Sequence, residues 1–510
     1  MTLRVISTPL SGKPLTRAAL SGTTPSEWYV PRPHGAEAWR ARAESMTSAL
    51  QSRDWLTPLQ HAFGATGVAA DRLSAAARGG FVVTVGQQPG LFGGPLYTWW
   101  KALSARALAD VLQEATGVPV APVFWAATDD SDFTEASWTV VATPDGAQKI
   151  QLDRVDDSGL PMALVPLGDV DAQLKALSSA AGSASYPAIL DAVERAYESG
   201  RTIGSAYVAL LRDVLAPLGV SVLDASHPAV RQQGAPLLHR ALERAHQVEA
   251  ALLARDAELK AAGFSPQVQT VRGRSLVFSA ADGRRARLSS GRAGHPAGES
   301  TALELSPNVL LRPLLERTIL PTVAYMGGPA EIAYFAQVSA VAAALECEPP
   351  LILPRWSGMV IGQRVQKILD RYSLTPADFA DPHAVETRLA KESLPADLRS
   401  RLDDMRRAMD EQISLLSASE GSRLVSDTVT AGLKRNMLHL IGRLERRYTA
   451  AIKREGNEAL RDAAVARAAL YPLGFPQERA LNGIPLIARH GEELFDSVMS
   501  EAAKHAASLL

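Results

Sequence analysis

The sequence is poor in cysteine and carries almost no excess charge. Cys347 is the single cysteine among 510 residues, which excludes an internal disulfide and a cysteine-only metal site. The chain has 53 lysines and arginines against 54 aspartates and glutamates, a formal net charge of −1. This balance argues against the basic face of a nucleic-acid-binding protein and against an acidic tail. Small neutral or mixed-charge molecules remain as the expected partners.

The sequence also lacks segments that would direct a chain into a membrane. No apolar run approaches the roughly 20 residues of a transmembrane helix, and the N-terminal MTLRVISTPLSGKPLTR has no apolar core of a signal peptide. With the low cysteine content, this predicts a cytoplasmic protein without a membrane partner. The 10 histidines show no H-E-x-x-H motif or paired spacing, so they predict no metal site.

What the sequence does contain is a recurring strand–loop–helix pattern. The β-branched run FVVTV, residues 81–85, is typical of a strand buried on both faces of a parallel sheet. Pro95 suits the first turn of the next helix, and the apolar run 118–127 completes a strand–helix–strand unit. Three later apolar runs also resemble strands that end in loops: residues 219–226, 321–328 and 349–355. We therefore predict an α/β fold with a doubly wound parallel sheet.

The chain length predicts two or three domains at roughly 150 residues each. We assign residues 1–360 to the sheet-containing core, with small β insertions at about 138–165 and 269–300. Asp282-Gly283 is the expected hairpin turn of the second insertion. Residues 457–510, rich in proline and glycine at their middle, are expected to return to this core.

Between these parts, residues 361–456 change to long, charge-rich helices. Apolar residues follow four–three spacing in two stretches, which predicts two antiparallel helices joined near residues 417–422. A helical hairpin packed on its own core and a seam for self-association are both compatible with this pattern.

The first motif is the loop GQQPGLFGG, residues 86–94, between a strand and a helix. Its glycines allow tight turns and close approach of a ligand to the backbone. The helix N-terminus that follows favours an anionic or strongly polar group. The loop matches neither the dinucleotide-binding nor the Walker pattern, and a purely structural turn is the alternative. Gln87 and Gln88, which can donate and accept hydrogen bonds, favour a ligand.

The second motif is TDDSDF, residues 128–133, directly after the apolar run VFWAA. Asp129, Asp130 and Asp132 lie where open α/β sheets bind ligands, at the carboxyl end of a strand. They could hold Mg²⁺, bind a substrate amine or supply a general base. A solvated helix N-cap, where aspartates are common, is the alternative.

The third motif lies in residues 305–337, where Gly327-Gly328 follow a strand and open a helix. Glu331 falls in the first turn, where its charge suits the helix dipole or could face a ligand. Asn308 and Arg312 are polar residues with apolar neighbours. Either can line a site, and Arg312 is equally suited to anchor a salt bridge.

Four stretches, taken in order, resemble the bacillithiol-biosynthesis cysteine-adding enzymes: VGQQPGLFGGPLYTWWKALSA, VFWAATDDSDF, SPNVLLRPLLERTILPTVAYMGGPAEIAYFAQ with ILPR after it, and PQER. The resemblance covers essentially the whole chain. It implies a Rossmann-like core with inserted connecting segments, an antiparallel coiled-coil domain that forms a homodimer, and kinship to class I aminoacyl-tRNA synthetases. It also implies a ligase that joins L-cysteine to the amine of glucosaminyl-malate by a C–N amide bond, giving bacillithiol.

The resemblance carries functional residues to positions in this chain. The implied catalytic residues are Asp129, Asp130 and Asp132. The implied substrate- or nucleotide-binding residues are Gly86, Gln87, Gln88, Gly90, Gly94, Tyr97, Asn308, Arg312, Gly327, Gly328, Glu331 and Arg355. ATP with Mg²⁺ is the cofactor pair considered for activating the cysteine carboxylate.

The acidic motif departs from the family at two positions. The family reads Glu-Asp-His-Asp, whereas here Asp129 replaces the glutamate and Ser131 the histidine. Serine forms hydrogen bonds but stays neutral, so Arg355 or Lys101 would have to supply the missing positive charge. Two alternatives therefore stand beside the cysteine ligase. One is a related C–N ligase with another amino acid or amine acceptor, and the other is a non-catalytic, nucleotide-binding dimeric scaffold.

Overall fold

The computed structural model describes residues 3–50, 54–144, 146–153, 159–280, 284–290, 303–456 and 458–510. The hairpin turn predicted at Asp282-Gly283 lies outside the described residues, as does part of each predicted β insertion. The chain divides into two compact units. We call the described parts of residues 1–141, 148–361 and 477–510 the core unit, and those of residues 142–147 and 362–476 the helical unit.

The described strands are β1 (Arg4–Ser7), β2 (Phe81–Gln87), β3 (Val120–Ala126), β4 (Trp138–Thr143), β5 (Gly146–Gln151), β6 (Ser221–Asp224), β7 (Arg274–Ser279), β8 (Ala286–Ser289), β9 (Leu305–Pro307), β10 (Thr322–Gly327), β11 (Ile352–Pro354) and β12 (Gly358–Ile361). Five of them form a sheet in the order β11-β10-β2-β3-β6, and every neighbouring pair is parallel. Smaller sheets pair β1 with β12 and β4 with β5, and place β7 between β8 and β9. The predicted α/β fold with a parallel sheet is confirmed.

The described α-helices of the core unit are α1 (Pro14–Leu20), α2 (Gly35–Leu50), α3 (Gln60–Phe63), α4 (Gly67–Ala77), α5 (Leu96–Thr116), α6 (Phe133–Ala136), α7 (Asp171–Ala181), α8 (Ala188–Ala196), α9 (Ile203–Leu215), α10 (Pro228–Glu243), α11 (Ala245–Ala261), α12 (Arg312–Ile319) and α13 (Pro329–Ala344). Those of the helical unit are α14 (Gln363–Arg371), α15 (Ala384–Glu392), α16 (Ala396–Ala418), α17 (Asp427–Glu455) and α18 (Glu458–Leu470). The C-terminal part of the core unit adds α19 (Gln477–Ala480), α20 (Ile484–His490) and α21 (Glu492–Ala507).

The central strands are buried because helices cover the sheet. Every residue of β2 from Phe81 to Gly86 is buried, and all of β3 is buried. Helix α5 packs on β2 and β3, while α2 and α21 pack on α5. A strand with neighbours on both faces needs apolar side chains at every position, which is why the run FVVTV does not alternate.

The helical unit contains the antiparallel pair that the four–three spacing predicts. Helices α16 and α17 pack together around Leu402, Met409 and Ile441. Ion pairs from Arg406 to Glu445 and from Lys434 to Asp410 show the antiparallel direction, because the later residue of one helix meets the earlier residue of the other. The predicted coiled-coil part of the fold is confirmed.

Among the described helices, none combines the length and the apolar character needed to cross a bilayer.

Candidate active site

The three motifs meet at one edge of the parallel sheet. Strands β2, β3 and β10 are neighbours and run in the same direction, so the segments that follow them emerge side by side. A cavity of about 570 Å³ opens at this edge. This volume is in the range of small-molecule sites.

The glycine loop is held in place from inside the core unit. Asn482 Nδ2 donates hydrogen bonds to the carbonyl oxygens of Leu91, Phe92 and Gly94. A Cβ at Gly90 would lie 2.7 Å from the Cα of Gly94, so a larger residue does not fit there. Gly90 and Gly94 thus shape the turn itself and lie outside the lining of the main cavity, whereas Gly86 lines it.

Lys101 joins the first glycine loop to the second. It lies on α5, is buried, and its Nζ donates to the Gly86 carbonyl oxygen at 2.8 Å and to Gln87 Oε1 at 3.0 Å. The same Nζ lies 2.7 Å from Glu331 Oε2. Burial lowers the pKa of Lys101, and the ion pair with Glu331 opposes that shift. One ammonium group therefore fixes both loops at the cavity wall.

Glu331 is the matching anion and is satisfied on both carboxylate oxygens. Its Oε1 accepts from the Tyr325 hydroxyl at 2.6 Å, and its Oε2 accepts from the Gly328 N–H at 2.6 Å. Burial alone would raise the pKa of Glu331, but Lys101 and these hydrogen bonds hold it below its usual range. Glu331 is therefore ionised at neutral pH, and from the first turn of α13 its carboxylate binds the N–H of Gly328, the N-cap residue.

Arg355 forms a second buried ion pair. It is 2% exposed, and its two terminal nitrogens bind Glu478 Oε2 at 2.9 Å and Oε1 at 2.6 Å. Its Nε has no hydrogen-bond partner among the described residues, and a Cβ built at Gly328 would lie 3.6 Å from it. Arg355 thus lines the cavity, while its two terminal nitrogens are occupied by Glu478 and by the Trp356 carbonyl oxygen.

The three aspartates of the acidic motif have different environments. Asp129 and Asp130 line the cavity, and Asp129 is only 6% exposed, so burial raises the pKa of its carboxyl. Asp130 Oδ2 accepts from Gln88 Nε2 at 2.7 Å, and Arg285 lies 3.9 Å from Asp130 Oδ1. Asp132 Oδ1 instead accepts from the backbone N–H of Glu135 at 3.0 Å, as the N-cap of α6.

Asn308 and Arg312 both reach the cavity from the start of α12. Asn308 Oδ1 accepts from the backbone N–H groups of Leu310 and Leu311, at 3.1 and 2.9 Å, so its side chain also shapes this turn. Arg312 contacts the Tyr334 hydroxyl at 3.4 Å, and its Nε has no partner among the described residues. Its positive charge is therefore available to an anionic ligand.

Tyr97 stands between the glycine loop and the cavity. Its hydroxyl oxygen accepts a hydrogen bond from Gln87 Nε2 at 3.2 Å, and burial raises the pKa of the phenol. Tyr97 is thus neutral and fixes the amide of Gln87.

Models of two protein domains match this chain almost from end to end. Residues 1–356 match the domain described as "Bacillithiol biosynthesis BshC, N-terminal Rossmann-like domain", and residues 358–508 match "Bacillithiol biosynthesis BshC, C-terminal coiled-coil domain". This chain belongs to the BshC family.

Three relatives illustrate the distance within the BshC family. The relative from Solibacter usitatus is 33% identical over 452 residues, which cover 84% of this chain and 84% of the relative. The relative from Koribacter versatilis is 32% identical over 466 residues, 87% of this chain and 86% of the relative. The relative from Staphylococcus carnosus is 29% identical over 447 residues, 82% of each. All three carry the name "Putative cysteine ligase BshC".

In this BshC-family chain, most of the site residues suggested by the sequence line one cavity: Gly86, Gln87, Gln88, Tyr97, Asp129, Asp130, Asn308, Arg312, Gly328, Glu331 and Arg355. The others lie beside it: Gly90, Gly94, Asp132 and Gly327. A Cβ at Gly327 would come within 2.6 Å of Ile352 Cδ1, so a larger residue here would displace the Ile352 side chain. Ser131 also lies outside the cavity lining.

Sequence reasoning did not assign several residues of the site. Arg285 and Arg287 line the cavity from the β7–β8 segment, which the sequence identified only as an insertion. Glu135 and Arg479 line it as well, and Arg479 belongs to the PQER stretch. Lys101 was considered only as a substitute charge. The signal for it was a lysine on an otherwise apolar helix face, which marks a buried, paired cation.

Proposed function

We propose that this chain is a ligase that joins the carboxyl group of L-cysteine to the amine of glucosaminyl-malate, forming bacillithiol. The observation that carries the proposal is the single cavity that collects all four motifs of the family resemblance. Membership in the BshC family and the names of the relatives support a cysteine ligase over another amide-forming reaction.

The charges of the cavity suit these substrates. Arg312 offers a buried positive charge whose Nε has no hydrogen-bond partner among the described residues, and it can bind a carboxylate of the malyl group or another anion. Arg285 and Arg287, in the β7–β8 segment, add positive charge to the wall of the same cavity. A substrate with several carboxylates would gain from each of them.

We assign the general base to Asp130. The amine of glucosaminyl-malate must lose a proton to attack an activated carboxyl group, and a carboxylate in the cavity can accept it. The hydrogen bond from Gln88 Nε2 to Asp130 Oδ2, 2.7 Å long, and that from the Asp132 N–H to Asp130 Oδ1, 3.1 Å long, fix the orientation of the group. Arg285 lies 3.9 Å from Oδ1. Holding both reactants at this carboxylate would itself accelerate the reaction.

ATP and Mg²⁺ belong to the proposal as partners of the site. When bound, ATP supplies the activation that a free carboxylate needs before amide formation. The residues fit its phosphates: Gly86 and Gly328 allow close approach to backbone, and the Nε atoms of Arg312 and Arg355 have no partner among the described residues. No group of three or more His, Cys, Asp or Glu residues in the described part of the chain could hold a metal ion. Mg²⁺ would therefore share Asp129 or Asp130 with phosphate and water oxygens.

We further propose that the chain is a homodimer through the helical unit. Helices α16 and α17 expose large apolar side chains, among them Leu415, Leu416 and Leu440, each more than half exposed. Exposed apolar residues at coiled-coil spacing are typical of a surface that a second helix pair covers. We place the protein in the cytoplasm, where its free cysteine and the thiol of its substrate stay reduced.

Mass spectrometry of the purified protein tests the proposed reaction. Incubation with L-cysteine, glucosaminyl-malate, ATP and Mg²⁺ should give the bacillithiol mass, and omission of ATP should abolish it. L-Serine in place of L-cysteine is the matched control. The absence of product under all these conditions, with ligand binding detectable by calorimetry, would contradict the ligase.

A further inference from the structure

A small chamber opens beside the main cavity. Its volume is about 80 Å³, several times what one water molecule requires and far less than the 570 Å³ of the main cavity. The two spaces share five lining residues: Gln87, Gln88, Tyr97, Glu135 and Arg479. A ligand in the main cavity can therefore place one short group in this chamber.

The wall of the chamber is largely apolar and holds one unsatisfied polar atom. Pro89, Pro95, Trp138 and Ala480 contribute apolar surface. Thr98 also lines the chamber and is 1% exposed, yet its hydroxyl has no hydrogen-bond partner among the described residues. A buried hydroxyl without a partner is costly, which indicates that a ligand group completes it.

Two opposite charges stand where the chamber meets the main cavity. Glu135 lies on α6 and Arg479 on α19, and both act electrostatically on Tyr97 between them. The Glu135 carboxylate and the Arg479 guanidinium form no ion pair or hydrogen bond with any described residue, whereas the backbone N–H of Glu135 is bound by Asp132. Partial burial raises the pKa of the Glu135 carboxyl, which a bound cation would counteract.

We propose that this chamber is the amino-acid subsite, which takes the short thiol side chain of L-cysteine while Glu135 binds its ammonium group and Arg479 its carboxylate. The inference rests on the proposed function and adds the recognition of the amino acid to it. The thiol contacts Thr98 Oγ1 and the apolar wall, and the carboxyl group stays in the main cavity near Asp130.

Calorimetry with L-cysteine, cysteamine and 3-mercaptopropionate tests the roles of Glu135 and Arg479 separately. Cysteamine lacks the carboxylate of cysteine, and 3-mercaptopropionate lacks the ammonium group. Arg479→Gln should raise the Kd of L-cysteine about tenfold and leave that of cysteamine unchanged. Glu135→Gln should raise the Kd of L-cysteine by a similar factor and leave that of 3-mercaptopropionate unchanged. Equal effects of each variant on all three thiols, or no effect on L-cysteine, would overturn the assignment.

Thr98→Val tests the chamber itself with an almost isosteric change. We expect the Kd of L-cysteine to rise about fivefold and that of L-alanine, which has no thiol, to stay the same. Thr134→Val, an exposed threonine on α6, is the control and should change neither value. Equal loss of both amino acids in Thr98→Val would show a packing defect and contradict a thiol contact.

The binding experiment tests the amino-acid subsite and the product assay tests the ligase, so that either proposal can be contradicted without the other. If the wild type makes bacillithiol and these variants bind L-cysteine as the wild type does, the subsite is wrong and the ligase stands. If the wild type makes no bacillithiol and the variants lose L-cysteine as described, the subsite stands and the ligase is wrong.

Discussion

The edge of the parallel sheet buries charged side chains, whereas the helical unit exposes large apolar ones. At the sheet edge, Lys101 and Arg355 are buried, and each is matched by a carboxylate. In the helical unit, Leu415 and Leu440 are more than half exposed. The first arrangement is made within one chain, because Lys101 pairs with Glu331 and Arg355 pairs with Glu478. In the proposed dimer, a second helix pair covers these exposed leucines. The comparison teaches that the buried ion pairs of the site form within a single chain, whereas the proposed self-association depends on the exposed leucines of the coil.

Breaking the ion pair at the sheet edge should have the largest effect. Lys101→Met leaves the buried Glu331 carboxylate without its cation, and we expect a loss of about 3–5 kcal/mol in the free energy of unfolding. Urea denaturation measures this loss. Lys260→Met, at an exposed lysine on α11, should stay within about 0.5 kcal/mol of the wild type. A loss below 1 kcal/mol at Lys101, on the order of a surface pair, would show that the pair does not hold the loops together.

A buried carboxyl group on α12 should make the stability of the core unit depend on pH. Glu316 is 1% exposed, and burial raises its pKa from 4.5 to about 8. The folded state therefore holds a proton that the unfolded state releases between these values. Stability should fall as pH rises through this window, by about 1.4 kcal/mol per pH unit.

Glu316→Gln removes this titration, so the variant should gain on the wild type from pH 6 to pH 8 in urea midpoints. Glu114→Gln, at an exposed position of α5, is the control and should follow the wild type. Parallel pH profiles for Glu316→Gln and the wild type would mean that Glu316 does not bind a proton in this range.

A charged residue in place of an exposed leucine of the coil tests whether these leucines mediate self-association. Leu440 is 60% exposed, and Leu440→Glu should weaken the proposed dimer by at least about 2 kcal/mol, since a leucine would be lost from the proposed interface. Sedimentation velocity should show half the wild-type mass at concentrations where the wild type is dimeric. Leu164→Glu, at a leucine 56% exposed in the core unit, should leave the dimer intact. A dimeric Leu440→Glu would place the interface elsewhere.

The smallest effect is expected at the helix cap of the acidic motif. Asp132→Ala removes the hydrogen bond to the Glu135 N–H, which should cost about 1 kcal/mol of stability. Asp132→Asn keeps an acceptor at the same place and should restore most of this loss. Thermal unfolding distinguishes the two variants, and equal midpoints would argue against a capping role.

The sequence predicted the strands and loops that position the site more completely than the contacts between its side chains. The strand FVVTV and the loops after β2, β3 and β10 follow from periodicity, because parallel strands end at one sheet edge. Helical spacing likewise predicted the coil. Strands, loops and helices depend mainly on residues that are close together in the sequence, and their periodicity can be read from one sequence.

The partners of the buried charges could not be read in the same way. Arg355 pairs with Glu478, a residue 123 positions later, and Lys101 pairs with Glu331 of another helix. The separation of Asp130, in the cavity, from Asp132, at a cap, depends on the turn before α6. The two ion pairs arise only when distant segments pack together, and the spacing of residues along the chain does not encode them. The cap is a local contact, which the sequence offered as an alternative for the aspartates without showing which of the three would form it.

The measurement that tests the account most directly is the rate of bacillithiol formation by the wild type, Asp130→Asn and Asp132→Asn, followed by mass spectrometry. The account predicts that Asp130→Asn loses on the order of 100-fold in turnover while it unfolds at the same temperature as the wild type. Asp132→Asn should stay within a few-fold of the wild-type rate. Full turnover by Asp130→Asn would contradict the assignment of the cavity carboxylate as the base of the reaction.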